Sequence, residues 1–234
     1  MYIPMPPSIS IIIPACNEEK YIEKTLHSLE QQQFRDFEVI VVANGCTDQT
    51  EEVVKQNANP YLRLLSLPQP NVSVARNAGA LNAQGKILLF LDADTQLASN
   101  SLQIISQQFT AGYAIAGTKV LPDIRRWDYT SFTGLKNIYL SLHLYPGCSG
   151  ALICQKDDFH SVGGYDPTLK VREHYYLSRK LTHRGKYKCL NTKVITSMRR
   201  YQHWGMGKAL SFWMKQWVKD IFPGLKNTEY EKIR

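Results

Sequence analysis

Lys86-Ile87-Leu88-Leu89-Phe90-Leu91-Asp92-Ala93-Asp94 decides how the rest of the chain is read. Five consecutive apolar residues, Ile87–Leu91, make a strand buried on both faces, as in a parallel sheet covered by helices. Asp92 and Asp94 follow at once, so two carboxylates leave the sheet together at the strand's carboxyl end. Working back toward the N-terminus, residues 74–83 have the pattern of a short helix and Leu62–Leu67 that of a strand. Residues 47–57 read as a helix with Thr47 or Asp48 near its start, and residues 37–42 as a second buried strand. Residues 18–32 form a helix with Ile22, Leu26 and Leu29 on one face and Asn17 as its N-cap. Residues 8–14 are a β-branched run that predicts a first strand buried on both faces. Strands alternating with short helices predict an α/β fold whose mostly parallel, Rossmann-like sheet is flanked by helices and joined by right-handed crossovers. Ligands of such sheets sit at the carboxyl ends of the strands. That rule singles out residues 14–18, 43–48 and 92–94.

Toward the C-terminus the pattern is less regular. Residues 113–121, 150–154 and 190–197 read as strands, 173–182 as a helix, and 207–222 as a helix rich in Trp and Lys. Residues 122–145 are aromatic without a clean period. There is no internal repeat, low-complexity tract or linker, so one domain over residues 1–234 is expected.

The 234 residues are 44% hydrophobic, which excludes disorder as the main state. No apolar run approaches the ~20 residues of a membrane-spanning helix, and Met1-Tyr2-Ile3-Pro4 lacks the basic start of a secretory signal. Cys16, Cys46, Cys148, Cys154 and Cys189 are odd in number and lack zinc-site spacing, which suits a reduced, cytoplasmic protein. A net charge of +8 favours acidic partners: nucleic acid, an anionic membrane surface or a phosphorylated small molecule. The cations form no single run and there is no helix-turn-helix, finger or RNA-sheet signature, so nucleic acid is not expected.

Two carboxylates one residue apart repel, and burial is costly for either unless a cation stands nearby. Hard oxygen donors of this kind suit Mg²⁺ or Mn²⁺ held together with substrate phosphates. Four segments then occur in order: Ile11-Ile12-Ile13-Pro14-Ala15-Cys16-Asn17-Glu18, Val41-Val42-Ala43-Asn44-Gly45-Cys46-Thr47-Asp48, Ala75-Arg76-Asn77-Ala78-Gly79 and Leu91-Asp92-Ala93-Asp94. With Gly163-Gly164-Tyr165-Asp166, Glu173-His174 and Leu177-Ser178 further on, they resemble family 2 glycosyltransferases of the GT-A fold over about residues 9–197.

The resemblance implies a metal-dependent, inverting transfer of a sugar from a nucleoside diphosphate sugar of UDP or GDP type to an acceptor hydroxyl on a sugar, lipid or small molecule. It makes residues 8–95 the nucleotide-sugar half, 96–200 the acceptor-side half and 201–234 a helical tail. Pro14, Ala15, Asn17, Glu18 and Asn44 would hold the nucleoside, Arg76 the base or diphosphate, and Asp92 the ribose. Asp94, with Asp92, would ligate Mn²⁺ or Mg²⁺; His203 is a further candidate ligand. Arg199 and Arg200 would neutralise the diphosphate. The sequence departs from the family pattern twice. Ala43 stands where the family often has an Asp that reads the base, so the nucleoside stays open. Glu173-His174 stands for the family's Glu-Asp pair, so the proton acceptor is His174, whose ordinary pKa lies near working pH, or Glu173. Two alternatives follow: a nucleotide-sugar-binding protein without turnover, and a nucleotidyltransferase, although residues 14–18 contain no glycine for a phosphate loop. Gly147-Cys148-Ser149-Gly150 would allow close backbone approach where donor and acceptor meet. The tail mixes Phe212, Trp213 and Trp217 with Lys208, Lys215 and Lys219, which suits contact with the inner face of a membrane, docking on the domain, or a homodimer face.

Overall fold

The computed structural model describes residues 6–143 and 150–221, with side chains in the last helix up to 215. In chain order the elements are β1 (Ile9–Ala15), α1 (Ile22–Glu30), β2 (Phe37–Asn44), α2 (Thr50–Gln56), β3 (Leu62–Leu67), α3 (Val72–Asn82) and β4 (Ile87–Leu91). There follow β5 (Thr95–Leu97), α4 (Ser101–Gln108), β6 (Tyr113–Pro122), α5 (Trp127–Ser141), β7 (Ala151–Gln155) and α6 (Lys156–Ser161). The chain continues with α7 (Glu173–Leu181), β8 (Lys186–Thr196), α8 (Arg199–Trp204) and α9 (Met206–Ile221).

The eight-stranded sheet runs β3-β2-β1-β4-β7-β6-β8-β5. The first four strands are parallel to one another, as their unbroken apolar runs require. β7 enters antiparallel between β4 and β6, and β5 pairs antiparallel with β8, while β6 and β8 run parallel. The expected mostly parallel α/β sheet is therefore present, with two opposed strands, β7 and β5, beyond β4. The order reverses between β1 and β4, which is the switch point where a ligand crevice opens in such sheets.

The core is layered on both sheet faces. Ile11, Ile13, Val39 and Leu89 pack with Leu26 and Leu29 of α1, Val54 of α2 and Ile105 of α4. Ile12, Ile40, Val42 and Phe90 pack with Ala75 and Ala80 of α3, Phe159 of α6 and Leu177 of α7. α3 lies so close to β1 that a Cβ on Gly79 would stand 2.4 Å from Ile12 Cγ2. Gly79→Ala should therefore lower stability by about 1–3 kcal/mol through forced separation of helix and strand, read as a lower midpoint in urea.

Three local expectations change. Helix α1 begins at Ile22 and its N-cap position is Tyr21, so Asn17 does not cap it. Asn17 instead has φ 57° and accepts the Thr47 N–H through Oδ1 at 2.8 Å, tying the ends of β1 and β2 together. Helix α2 starts at Thr50 with Gln49 at its N-cap position; Asp48, one residue earlier, accepts both the Thr50 N–H at 3.0 Å and its hydroxyl at 2.6 Å. The aromatic stretch 122–145 contains a helix, α5, clamped to β6 by Asn137: its Oδ1 accepts from Val120 N–H and its Nδ2 donates to Val120 O, each at 2.8 Å. Residues 147–149 of the small-residue motif, and the side chains of Trp217 and Lys219, lie outside the described residues. No helix among the described residues is long and apolar enough to cross a membrane.

Candidate active site

The carboxyl ends of β1, β2 and β4 lie side by side on one edge of the sheet, and each end is fixed by its own local bonds. After β4 the chain turns within Asp92–Thr95, with the Thr95 N–H donating to Asp92 O at 3.0 Å. The Asp92 N–H is taken by Gly150 O at 3.0 Å, so the start of β7 pins the turn from the other side. Both aspartates are held by arginines brought from elsewhere in the chain.

Arg76, on α3, is buried. It donates to Asp92 Oδ1 at 2.9 Å and to Glu173 Oε1, at the start of α7, at 3.3 Å. Its guanidinium also lies 5.2 Å from the Tyr165 ring centre. Burial pulls its pKa down, but Tyr165, Asp92 and Glu173 outweigh that and raise it, so Arg76 keeps its charge. Arg76, for which the resemblance implies a contact to the base or diphosphate, is in the structure the buried link between Asp92 and Glu173.

The Gly-Gly-Tyr-Asp motif serves this link. Asn77, next to Arg76, accepts the Tyr165 N–H at 2.9 Å and donates to Tyr165 O at 2.8 Å. Gly164 has φ 64°, and a Cβ there would sit 2.8 Å from Asn77 Oδ1, so glycine permits the approach. The Tyr165 hydroxyl is 2.8 Å from His174 Nδ1. His174 Nε2 is shut away from solvent without a hydrogen-bond partner. Burial, and then the Arg76 charge, hold the imidazole pKa well below its usual value, so the ring is neutral at working pH.

The second arginine is Arg199, for which the resemblance implies a place beside the diphosphate. Arg199 opens α8 and grips Glu18 with a two-pronged contact at 2.7 and 2.6 Å. It also reaches Asp94 Oδ2 at 3.2 Å and stacks 4.3 Å from the Tyr21 ring. Burial lowers its pKa, but the bond to Glu18 and the charges of Asp94 and Glu18 raise it overall. Arg200 is lowered by burial, with the nearby Asp94 and Asp92 charges opposing that.

Asp94 stands in a different balance. Burial lifts its pKa to about 7; Arg199 pulls it back, while Asp92 and Glu18 push it further up. A carboxyl group whose ionisation is opposed by burial more than Arg199 and Arg200 relieve it is a suitable seat for a hard dication, which would bind the ionised form. Among the described residues, no three His, Cys, Asp or Glu side chains gather as a protein-only metal cage. Asp94 thus fits the sparse kind of site in which one or two carboxylates share the ion with substrate phosphates and water.

The other nominated residues are placed less directly. Asn44 is buried and its amide is fully used: Nδ2 donates to Ala15 O at 2.8 Å and Oδ1 accepts the Asn71 N–H at 3.1 Å. It ties the end of β1 to the start of α3, and Pro14 and Ala15 are buried in β1. Glu18 spends its carboxylate on Arg199 and its N–H on the Thr50 hydroxyl at 2.7 Å. His203 is exposed on α8 and is not gathered with Asp92 and Asp94 into a ligand set.

The family model for glycosyl transferase family 2 matches residues 10–147. The chain belongs to this family. Among curated relatives, the GalNAc(5)-diNAcBac-PP-undecaprenol beta-1,3-glucosyltransferase of Campylobacter jejuni is 31% identical over 112 residues, covering 46% of this chain and 36% of that protein. This family 2 chain spans between 18% and 36% of the length of the first curated relatives it matches. Its fold is that of GT-A glycosyltransferases of known structure. TarS residues 1–349 of S. aureus, in complex with UDP-GlcNAc, superposes with a TM-score of 0.64 at 21% identity, covering 82% of this chain and 59% of that one. The mannosyltransferase PcManGT of Pyrobaculum calidifontis, in complex with GDP-Man and Mn²⁺, gives 0.72 at 17% identity, covering 97% and 66%.

Proposed function

We propose that this chain is the donor-binding and catalytic unit of a metal-dependent, inverting glycosyltransferase. The donor is a nucleoside diphosphate sugar of UDP or GDP type, the cofactor Mn²⁺ or Mg²⁺, and the acceptor a hydroxyl on a sugar, lipid or small molecule. The observation that carries this reading is the convergence of Arg76, Asp92, Asp94 and Arg199 at the carboxyl end of β4. Family membership supports it, and so do the UDP-GlcNAc and GDP-Man complexes of the two structural neighbours.

Each role follows from chemistry. Asp92, fixed by Arg76, accepts from donor hydroxyls. Arg199 and Arg200 face the diphosphate, where developing charge is best met by preorganised cations. A divalent cation on Asp94 would supply further positive charge to the departing diphosphate. The acceptor oxygen forms its bond to the anomeric carbon as the bond from that carbon to the diphosphate oxygen breaks; the electron pair leaves with the diphosphate. The hydroxyl proton goes to Glu173. Between the two candidate bases, we assign Glu173 to proton transfer and His174 to positioning. Glu173 is oriented by Arg76, whereas the His174 Nδ1 is spoken for by Tyr165 and its Nε2 is closed off from solvent.

Turnover of a UDP- and GDP-sugar panel with Mn²⁺, followed as released nucleoside diphosphate, tests the reading. Glu173→Gln should lower kcat by about 10²–10⁴-fold. His174→Gln should leave most of kcat, and the pH profile should carry no inflection from a histidine near its ordinary pKa. If the two variants exchange these phenotypes, the assignment belongs to His174. Donor binding without turnover of any donor would make the chain a nucleotide-sugar-binding protein.

A further inference from the structure

The helix that sequence periodicity fails to reveal, α5, turns an apolar stripe outward. Trp127, Leu135, Ile138 and Leu142 are 83%, 69%, 59% and 63% exposed. Their spacing puts them on one side of the helix, with Ser131 between the first two. The opposite side is buried through Tyr129, Thr133 and Leu140 and is clamped to β6 by Asn137. Such a contiguous exposed apolar face, carried by a firmly seated helix, is unusual for a surface in water alone.

α8 packs against α5 on the flank away from that stripe, and α9 follows it in the chain. Tyr201 of α8 lies 5.3 Å from the Phe132 ring and 6.4 Å from the Tyr129 ring of α5, centre to centre. Leu210 and Met214 of α9 are exposed. Cations outnumber acids on these helices: Lys136, Arg199, Arg200, Lys208, Lys215 and Lys219 stand against Asp128 and Asp220. No Asp or Glu occurs between Asp128 and Asp157, nor between Glu173 and Asp220, and the second interval carries eleven Lys and Arg. At the start of α5, Arg125 and Arg126 are exposed beside Trp127; Arg126 is paired with Asp128 at 2.7 Å, so that acid is already neutralised.

We propose that α5, with α8 and α9, docks the protein on a bilayer surface bearing anionic lipids. Trp127, Leu135, Ile138 and Leu142 enter the boundary between headgroups and acyl chains, and the surrounding cations meet the lipid phosphates. A second copy of this chain would bring the same excess of cations against itself, and the repulsion makes it the poorer occupant. α5 is joined to the candidate site through α8, whose Tyr201 packs on Phe132 and whose Arg199 contacts Asp94. The docking does not depend on what the site transfers.

The test is co-sedimentation of the full chain with vesicles of pure phosphatidylcholine and of phosphatidylcholine with about 30% phosphatidylglycerol. Binding is expected to the anionic vesicles, at least about ten-fold stronger than to neutral ones, and to weaken as salt is raised. The combined variant Trp127→Ser, Leu135→Ser, Ile138→Ser should lose at least about ten-fold of that binding while keeping the parent's thermal midpoint. A second readout needs only one conservative change: brominated lipid should quench tryptophan fluorescence, and Trp127→Phe should remove part of that quenching. Equal binding to neutral and anionic vesicles, unchanged binding by the triple variant, or no quenching from Trp127 would overturn the proposal. A concentration-dependent dimer that the triple variant dissolves would also overturn it, giving the face to a second copy.

Discussion

Arg76→Met should cost the fold about 3 kcal/mol and remove measurable donor binding. The first effect comes from what the substitution leaves behind. Arg76 is 5% exposed at its side chain and faces Asp92 and Glu173, which are 37% and 16% exposed. Removing one member of a buried ion pair typically costs about 3–5 kcal/mol, because the partner keeps its charge without compensation. Asp92 is open enough for water to replace part of the loss, which puts the expectation at the low end. Glu173 is not, so the double variant Arg76→Met, Glu173→Gln should recover part of the lost stability. The second effect is positional: without Arg76, neither Asp92, just after β4, nor Glu173, at the start of α7, is held in place. Urea unfolding and calorimetric donor titration check the two separately. A stable Arg76→Met variant that still binds donor would show that the link between the halves is dispensable.

Asp94→Asn should act in opposite directions on stability and on activity. The carboxyl of Asp94 ionises near 7 in the folded chain, against about 3.9 in an unfolded one. A carboxyl pKa raised by folding means that the native state holds its proton more tightly. The stability it contributes is therefore complete below about pH 4 and is lost as pH rises through 7. In the absence of divalent cation, the asparagine variant should melt higher than the parent at pH 8 and show no advantage near pH 4. Turnover should fall by at least about 10³-fold at every pH, since the seat for the cation at the diphosphate is gone. A lower melting temperature at pH 8 would mean that the Arg199 contact outweighs burial in setting the charge of Asp94.

The first half of the fold was legible because its chemistry is local. Strands buried on both faces show as unbroken apolar runs, and β1 to β4 fall within a residue or two of the runs that announce them. The order of short motifs at strand ends carried the family for the same reason. What stayed hidden is long-range or two-sided. The pairing of Arg76 with Glu173 joins residues 97 apart, and that of Arg199 with Glu18 joins residues 181 apart; no periodicity links them. Glu18 and Asn44 read as donor contacts because motif position reports a place in the crevice and says nothing of how many hydrogen bonds the protein already takes from a side chain. Helix α5 escaped because its outward side is apolar too, which erases the contrast that an amphipathic pattern needs. β5 is three residues long, below what alternation can signal. His174 read as a base by type; its burial beside Arg76, which suppresses its charge, is a tertiary fact.

Calorimetric titration of UDP, GDP and their sugars into the protein, with Mn²⁺ and again with chelator, is the most direct measurement of the crevice at the end of β4. One nucleoside diphosphate series should bind at least about ten-fold tighter with Mn²⁺ present; Asp94→Asn should abolish this gain, while Arg199→Ala should weaken binding with or without the ion. Binding of equal strength with and without the cation, unchanged in Asp94→Asn, would contradict the metal-dependent reading.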